Sequence, residues 1–211
     1  MRKKNKKEED KYHHGNLRVA LINAGIDIID KKGIGALSLR ACAATAGVSH
    51  AAPQYHFGNI SNLFTAIAVV ANEKFHDFLQ GEAEKCDSDP VLQARCLIRA
   101  YLKFARDNPG LFRLIFNTND LDIENEDLAS AISNNYELHH TIVKKLMPCL
   151  RDDVNMTEQS LALLLWSFVH GYTCLMQDGQ FKSYAGNLDE YIAFMPDILT
   201  PLLKVEETVK A

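Results

Sequence analysis

The 211-residue chain has no apolar run long enough to cross a bilayer. Its longest runs, residues 66 to 71 and 161 to 166, fall far short of the ~20 residues a spanning helix needs. The N-terminal residues show no apolar h-region of an export signal, so a cytoplasmic protein with no membrane partner is expected. Glycine-rich phosphate loops, G-x-S-x-G and H-E-x-x-H are missing too. The His13-His14 pair lies in a basic run and not in a pocket, so no catalytic residue or cofactor is assigned and an enzyme is not expected. The five cysteines, Cys42, Cys86, Cys96, Cys149 and Cys174, are odd in number and contain no C-x-x-C pair. Reduced, mostly buried thiols follow as the expectation. Strand-like alternation, internal repeats and Gly/Ser linkers are all absent from the pattern.

What the sequence does contain is helical periodicity. Asn16 reads as the cap of a first amphipathic helix over residues 17 to 32, with Leu17, Ala20, Leu21, Ala24, Ile28 and Ile29 on one stripe. Ser61 reads as the start of a long helix to residue 79. Asp89-Pro90 and Asn108-Pro109 are cap-plus-proline starts, predicting helices to residues 106 and 116. Residues 119 to 127 read as an acidic loop. Helices over 128 to 147, 157 to 178 and 187 to 204 follow, with Gly179 and Gly186 as breaks and Pro196 and Pro201 kinking or splitting the last.

Charge is divided along the chain. Residues 1 to 62 carry ten Lys/Arg against five Asp/Glu, and residues 63 to 211 carry thirteen against twenty-two. A positive end attracts phosphates, and an acidic remainder discourages nonspecific wrapping, which suits a DNA-binding head on a body with another task. The basic run from Arg2 to Lys7 reads equally as a solvated tail or as a DNA arm.

The densest signal is SLRACAATAGVSHAAPQYHF, Ser38 to Phe57. Ser38 is a good N-cap, the alanines let a second helix approach closely, and Gly47 supplies the left-handed conformation that ends a helix. Val48 plugs the turn and Ser49 caps a second helix from His50 to Phe57. Helix, short glycine turn and helix at this spacing fit a DNA major groove. A plain helical hairpin has the same local signals. Pro53 removes the bond to the Ser49 carbonyl and biases Ala52 away from helical angles.

That stretch, preceded by YHHGNLR at Tyr12 to Arg18 and followed by NLF at Asn62 to Phe64, resembles the TetR/AcrR family of one-component bacterial transcription regulators. Trp166, His170 and Gly171 are similar to the W-x-x-x-H-G signature of one C-terminal domain type in that family. The resemblance implies an all-α protein: a basic tail at 1–11, a three-helix, helix-turn-helix DNA-binding domain at 12–62, and a helical effector-binding and dimerisation domain at 63–211. It implies a ligand-responsive repressor bound as a homodimer to a near-palindromic double-stranded operator. The DNA-binding residues are then Ser38, Arg40, Ser49, His50, Ala51, Gln54, Tyr55 and His56. Two departures stand out, because Gln54 occupies the place of a phosphate-contacting tyrosine and Ile60 that of a lysine.

For the unidentified small-molecule effector, the pocket candidates are Phe104, Phe112, Phe116, Tyr136, His139, Trp166, His170 and Tyr172, although aromatics at helical spacing also make core. Dimerisation through about 157–178 and 187–204 is implied, with Leu161, Leu164, Leu165, Phe168, Tyr191, Ile198 and Leu202 shared between core and seam. The alternatives are a metal-sensing regulator using His139, His140 and Cys149, residue types that suit zinc or copper, and, less favoured, a small helical enzyme. Adjacent helical histidines point about 100° apart, so no metal site is assigned.

Overall fold

The computed structural model describes residues 6–116, 121–183 and 187–204. Among them are nine α-helices, and the only β feature is an isolated antiparallel bridge between Leu150 and Leu203. The all-α expectation is met. The helices are α1 (Lys6–Lys32), α2 (Leu39–Ala46), α3 (Ala51–Phe57), α4 (Ile60–Glu84), α5 (Pro90–Asp107), α6 (Pro109–Phe116), α7 (Glu126–Leu146), α8 (Glu158–Gln177) and α9 (Leu188–Phe194). They form two compact units, Met1–Asn72 with Asn108–Ala131, and Glu73–Asp107 with Ile132–Ala211.

In the first unit, α1 packs on α2, α3 and α6. Of the predicted stripe Leu21, Ala24, Ile28 and Ile29 are buried, Leu17 is half-buried and Ala20 is exposed; Ile22, outside the predicted stripe, is buried with them, as are Leu63 and Ile67 of α4. Helix α6 lies against α1 at Gly110, where an added Cβ would stand 2.9 Å from the Ile29 carbonyl oxygen. Asp122 donates its backbone N–H to the buried Thr65 hydroxyl at 2.9 Å, and Asn125 accepts from Leu128 N at 3.0 Å, starting α7.

In the second unit, Phe75 packs edge-on to Tyr101 and Phe104 with ring centroids 5.3 and 5.0 Å apart. The Thr157 side chain caps α8 by accepting from Ser160 N, and Asn187 with Glu190 forms a capping box at α9. After Phe194 the chain continues as a 3-10 helix, Met195–Leu202, containing Pro196 and Pro201. The anticipated split is present because neither proline offers an N–H to an α-helical ladder.

Several sequence expectations are corrected. Helix α1 begins at Lys6 and not after Asn16, since Lys6, Lys7, Glu8, Glu9 and Lys11 are good helix formers and outweigh the ~1 kcal/mol cost of Gly15. The first residues of the basic run, up to position 5, lie outside the described residues, as does Gly186. Helix α4 starts at Ile60 with Asn59, not Ser61, accepting from Asn62 N at 2.8 Å, and it continues through Gly81 to Glu84. Cys86 and Cys96 are joined as a disulfide, against the expectation of reduced thiols. Their Cα atoms are 6.7 Å apart because the turn between α4 and α5 folds the two helices together, a proximity that linear spacing does not show. Cys42, Cys149 and Cys174 take no part in that disulfide.

Candidate nucleic-acid interface and effector-domain site

The helix-turn-helix is built as its residues dictate. The Ser38 hydroxyl accepts from Ala41 N at 3.1 Å. Gly47 takes φ 68°, and Val48 N donates to Ala43 O at 3.0 Å while Gly47 N donates to Ala44 O at 3.3 Å, closing α2. The cap of α3 differs from the expectation. The N-cap position falls on His50, whose side chain makes no capping bond, and Ser49 contributes its carbonyl instead. That carbonyl, which Pro53 has no N–H to reach, accepts from Ala52 N at 3.1 Å, so a tighter first turn accommodates the proline.

Helix α3 buries Pro53 and Phe57, four residues apart, and the Arg18 guanidinium lies 5.4 Å from the Phe57 ring centroid. Outside that buried stripe His50, Ala51, Gln54 and Tyr55 are exposed to solvent, Tyr55 at 76%. Ser38, Arg40 and Ser49 are also exposed, whereas His56 is half-buried, its ring 5.3 Å from that of Tyr55. The Gln54 amide donates to the Gly58 carbonyl, closing the end of its own helix. Tyr55 therefore leaves most of its side chain in solvent. Asn62 donates to the Phe57 carbonyl at 2.7 Å, locking the start of α4 to the end of α3. Burial pushes the Cys42 thiol, at the back of this head, up to about 11, and it stays protonated.

The eight effector candidates separate in space. Phe112 and Phe116 belong to the first unit, packed on each other at 4.8 Å, with Phe112 fully buried. Phe104 is core beneath Phe75 and Phe78. Tyr172 donates to the Tyr191 carbonyl at 3.2 Å and stacks near Phe181. Tyr136, Trp166 and His170 do form a chain of rings, Tyr136 to Trp166 at 5.6 Å and Trp166 to His170 at 6.4 Å. Tyr101, absent from the sequence reading, completes it with its hydroxyl 2.9 Å from His170 Nδ1. Burial raises the Tyr101 hydroxyl and lowers the His170 imidazole, so the pair is neutral. None of the eight lines the described open cleft of about 490 Å³, whose walls include His76, Gln80 and Glu84 of α4, Gln93 of α5, and Glu137 and Lys145 of α7. Lone polar residues on helix faces gave no sequence signal for it.

His139 is lowered to about 4, first by burial and then by the neighbouring His140. The neutral form is favoured in the folded state, so its contribution is present above the ordinary imidazole pKa and declines as pH falls toward 4. From pH 7 to 5 the chain should lose roughly 2 kcal/mol of stability through this group. His139→Gln should flatten that part of a urea-denaturation pH profile, and an unchanged slope would assign the loss elsewhere. The His139 and His140 rings are 5.9 Å apart, and His140 Nδ1 lies 3.9 Å from Glu158 Oε1. Among the described residues no three His, Cys, Asp or Glu side chains gather as a metal site.

A capped helix, a left-handed glycine turn and an exposed second helix, among described residues that are helical throughout the regular elements, have the form of a helix-turn-helix. The family model for the tetracyclin repressor-like C-terminal domain matches residues 94–199. The chain belongs to the tetracyclin repressor-like (TetR) family, whose members are DNA-binding transcription regulators. A search of curated proteins finds no match. Among solved structures, a protein with unknown function from Rhodococcus sp. RHA1 is similar at 27% identity and TM-score 0.76, covering 92% of this chain and 98% of that one. A TetR-family regulator from Pectobacterium atrosepticum is 19% identical with TM-score 0.67, over 92% and 97% of the two chains. AibR, in complex with isovaleryl coenzyme A and operator DNA, is 17% identical with TM-score 0.65, over 89% and 100%.

Proposed function

We propose that the protein is a cytoplasmic, ligand-responsive repressor that binds a near-palindromic operator as a homodimer. The observation that carries the DNA half is the outward surface of α3, with Tyr55 exposed opposite the buried Pro53 and Phe57 and Gln54 exposed beside them. One seven-residue recognition helix reads few base pairs, and twofold pairing doubles them. Residues 12–62 serve as the reading head and 63–211 as the effector and dimerisation body. Helix α8 supports the pairing, because Leu164, Phe168 and Leu175 are exposed along one face with Ser167 and Gly171 between them. Small residues there leave room for a twofold mate.

For the effector, support comes from the Tyr101, Tyr136, Trp166 and His170 cluster, which offers aromatic faces and a neutral polar pair. That the structurally similar AibR was solved with both a coenzyme A thioester and operator DNA supports a regulator answering to a small organic ligand. Helix α4 follows the reading helix after only two residues and continues into the body as one helix, providing a covalent path for the response. An effector that lowers operator affinity must bind the operator-bound form more weakly by the same factor, typically 1–3 kcal/mol.

A genome-wide binding footprint tests the reading and supplies the operator. On that operator, log affinity should fall linearly with log salt, each neutralised phosphate adding about −0.9 to the slope. Tyr55→Phe should weaken binding to all sequences together by about 1 kcal/mol, as loss of a phosphate hydrogen bond does, whereas Gln54→Ala should change base preference or lengthen α3 fraying. Salt-independent binding would contradict the phosphate-anchored mode. Equal, sequence-independent losses from both variants would remove Gln54 from base reading.

A further inference from the structure

The Cys86–Cys96 cystine closes the corner between α4 and α5, with Cys86 in the turn just after α4 and Cys96 two turns into α5. Both residues are half-buried, so neither is sealed in the core away from an attacking thiolate. Each stands three residues from a wall of the 490 Å³ cleft: Ala83 precedes Cys86, and Gln93 precedes Cys96. Gln93 in turn accepts from Lys145 Nζ of α7 at 3.2 Å, across the cleft end. The bond thus fixes one end of the cleft.

The corner has other ties that outlast the bond. Glu82 pairs with Lys103 at 3.6 Å, Asp89 Oδ1 accepts from Leu92 N at 2.8 Å, and Leu79, Ala83 and Leu97 are buried beneath. The cystine spans a sequence separation of only 10, and short loops gain least from cross-linking. Opening it leaves a folded unit with a looser corner. A regulator working on DNA in the cytoplasm sits in a thiol-reducing compartment, where cystines are usually transient. This last step rests on the function proposed above.

We propose that Cys86–Cys96 is a reversible thiol–disulfide exchange site, opened by low-molecular-weight thiols and closed by their disulfides, which sets the mobility of the α4–α5 corner and the cleft end it walls. A small thiolate attacks one cystine sulfur, the S–S bond breaks, and the other cysteine leaves as a thiolate that takes a proton. A second small thiolate then displaces the protein sulfur from the mixed disulfide. Two small thiols are oxidised to one disulfide while the cystine gains two electrons and two protons. Cys42 takes no part, buried and with its thiol held protonated.

The test equilibrates the full chain with glutathione and glutathione disulfide at varied ratios, then traps thiols with iodoacetamide for mass spectrometry. Cys86 and Cys96 should become labelled together in one two-electron transition, with far-UV circular dichroism unchanged. Amide exchange over residues 82–96 should speed about tenfold on reduction. Cys86→Ser should exchange fast at every ratio. A cystine that yields only when the chain unfolds, or amide exchange identical in both states, would overturn the proposal. A chain that binds no DNA in either state would overturn the regulator reading alone, because labelling and exchange need no operator.

Discussion

Leu164→Glu combined with Phe168→Glu should give a folded monomer that no longer holds its operator at concentrations where the parent chain does. Both side chains lie on the solvent face of α8, Phe168 at 45% exposure, while Leu161 and Leu165 on the same helix are buried in the unit's own core. The substitutions therefore leave the monomer core untouched. In a twofold seam each carboxylate would be desolvated opposite its own copy, a cost of several kcal/mol per buried unpaired charge. Even ~3 kcal/mol weakens dimerisation more than about a hundredfold. Sedimentation equilibrium reads the association and circular dichroism the fold. Persistence of a tight dimer would move the seam off this face. Gly171, where an added Cβ meets nothing within 4 Å, supplies the control. Gly171→Ala should stabilise an isolated monomer by up to ~1 kcal/mol through helix propensity, and Gly171→Leu should leave the monomer folded but impair pairing.

Gly110→Val should be among the most damaging single substitutions in the chain, costing about 3 kcal/mol or more in urea denaturation. A Cβ at this position would meet Ile29 Cγ2 at 2.6 Å, the Ile29 carbonyl oxygen at 2.9 Å and its carbonyl carbon at 3.2 Å. Two of those three atoms are backbone of the central helix α1 and have no rotamer to change. Helix α6 would have to lift from α1, exposing the buried Leu111, Phe112, Leu114 and Ile115. Gly81, inside α4 with nothing within 4 Å, separates this clash from a general effect of replacing helical glycines. Gly81→Ala should stabilise by ~0.5–1 kcal/mol. A Gly110→Val cost below about 1 kcal/mol would mean the α1–α6 contact yields more easily than its geometry shows.

The reading head was legible because its determinants are local. A serine cap, a glycine in the left-handed region and a proline near a helix start each act within four residues, so Ser38, Gly47 and Pro53 could be interpreted from the sequence. The first turn of α3 still differed: a side-chain cap and a carbonyl-only solution are close in energy, and Pro53 tips the balance toward the second. Gln54 read as a DNA-facing residue, and what the sequence did not show is that its amide bonds the Gly58 carbonyl, an option created by how α3 ends.

By itself the sequence determined the helical class, the helix-turn-helix with its glycine turn, the concentration of positive charge in the first residues, and the break at Pro196 and Pro201. Only the tertiary structure decided which apolar residues of α8 are core. Leu161, Leu164, Leu165 and Phe168 share one helical period, and the structure buries the first and third while exposing the second and fourth. It likewise sent Phe112 and Phe116 to one unit and Trp166 and His170 to the other, added Tyr101 to the latter, and joined Cys86 to Cys96. The reason is that periodicity fixes angles around a helix axis, whereas burial, pocket walls and disulfide partners depend on which other helices, dozens of residues away, occupy the neighbouring space.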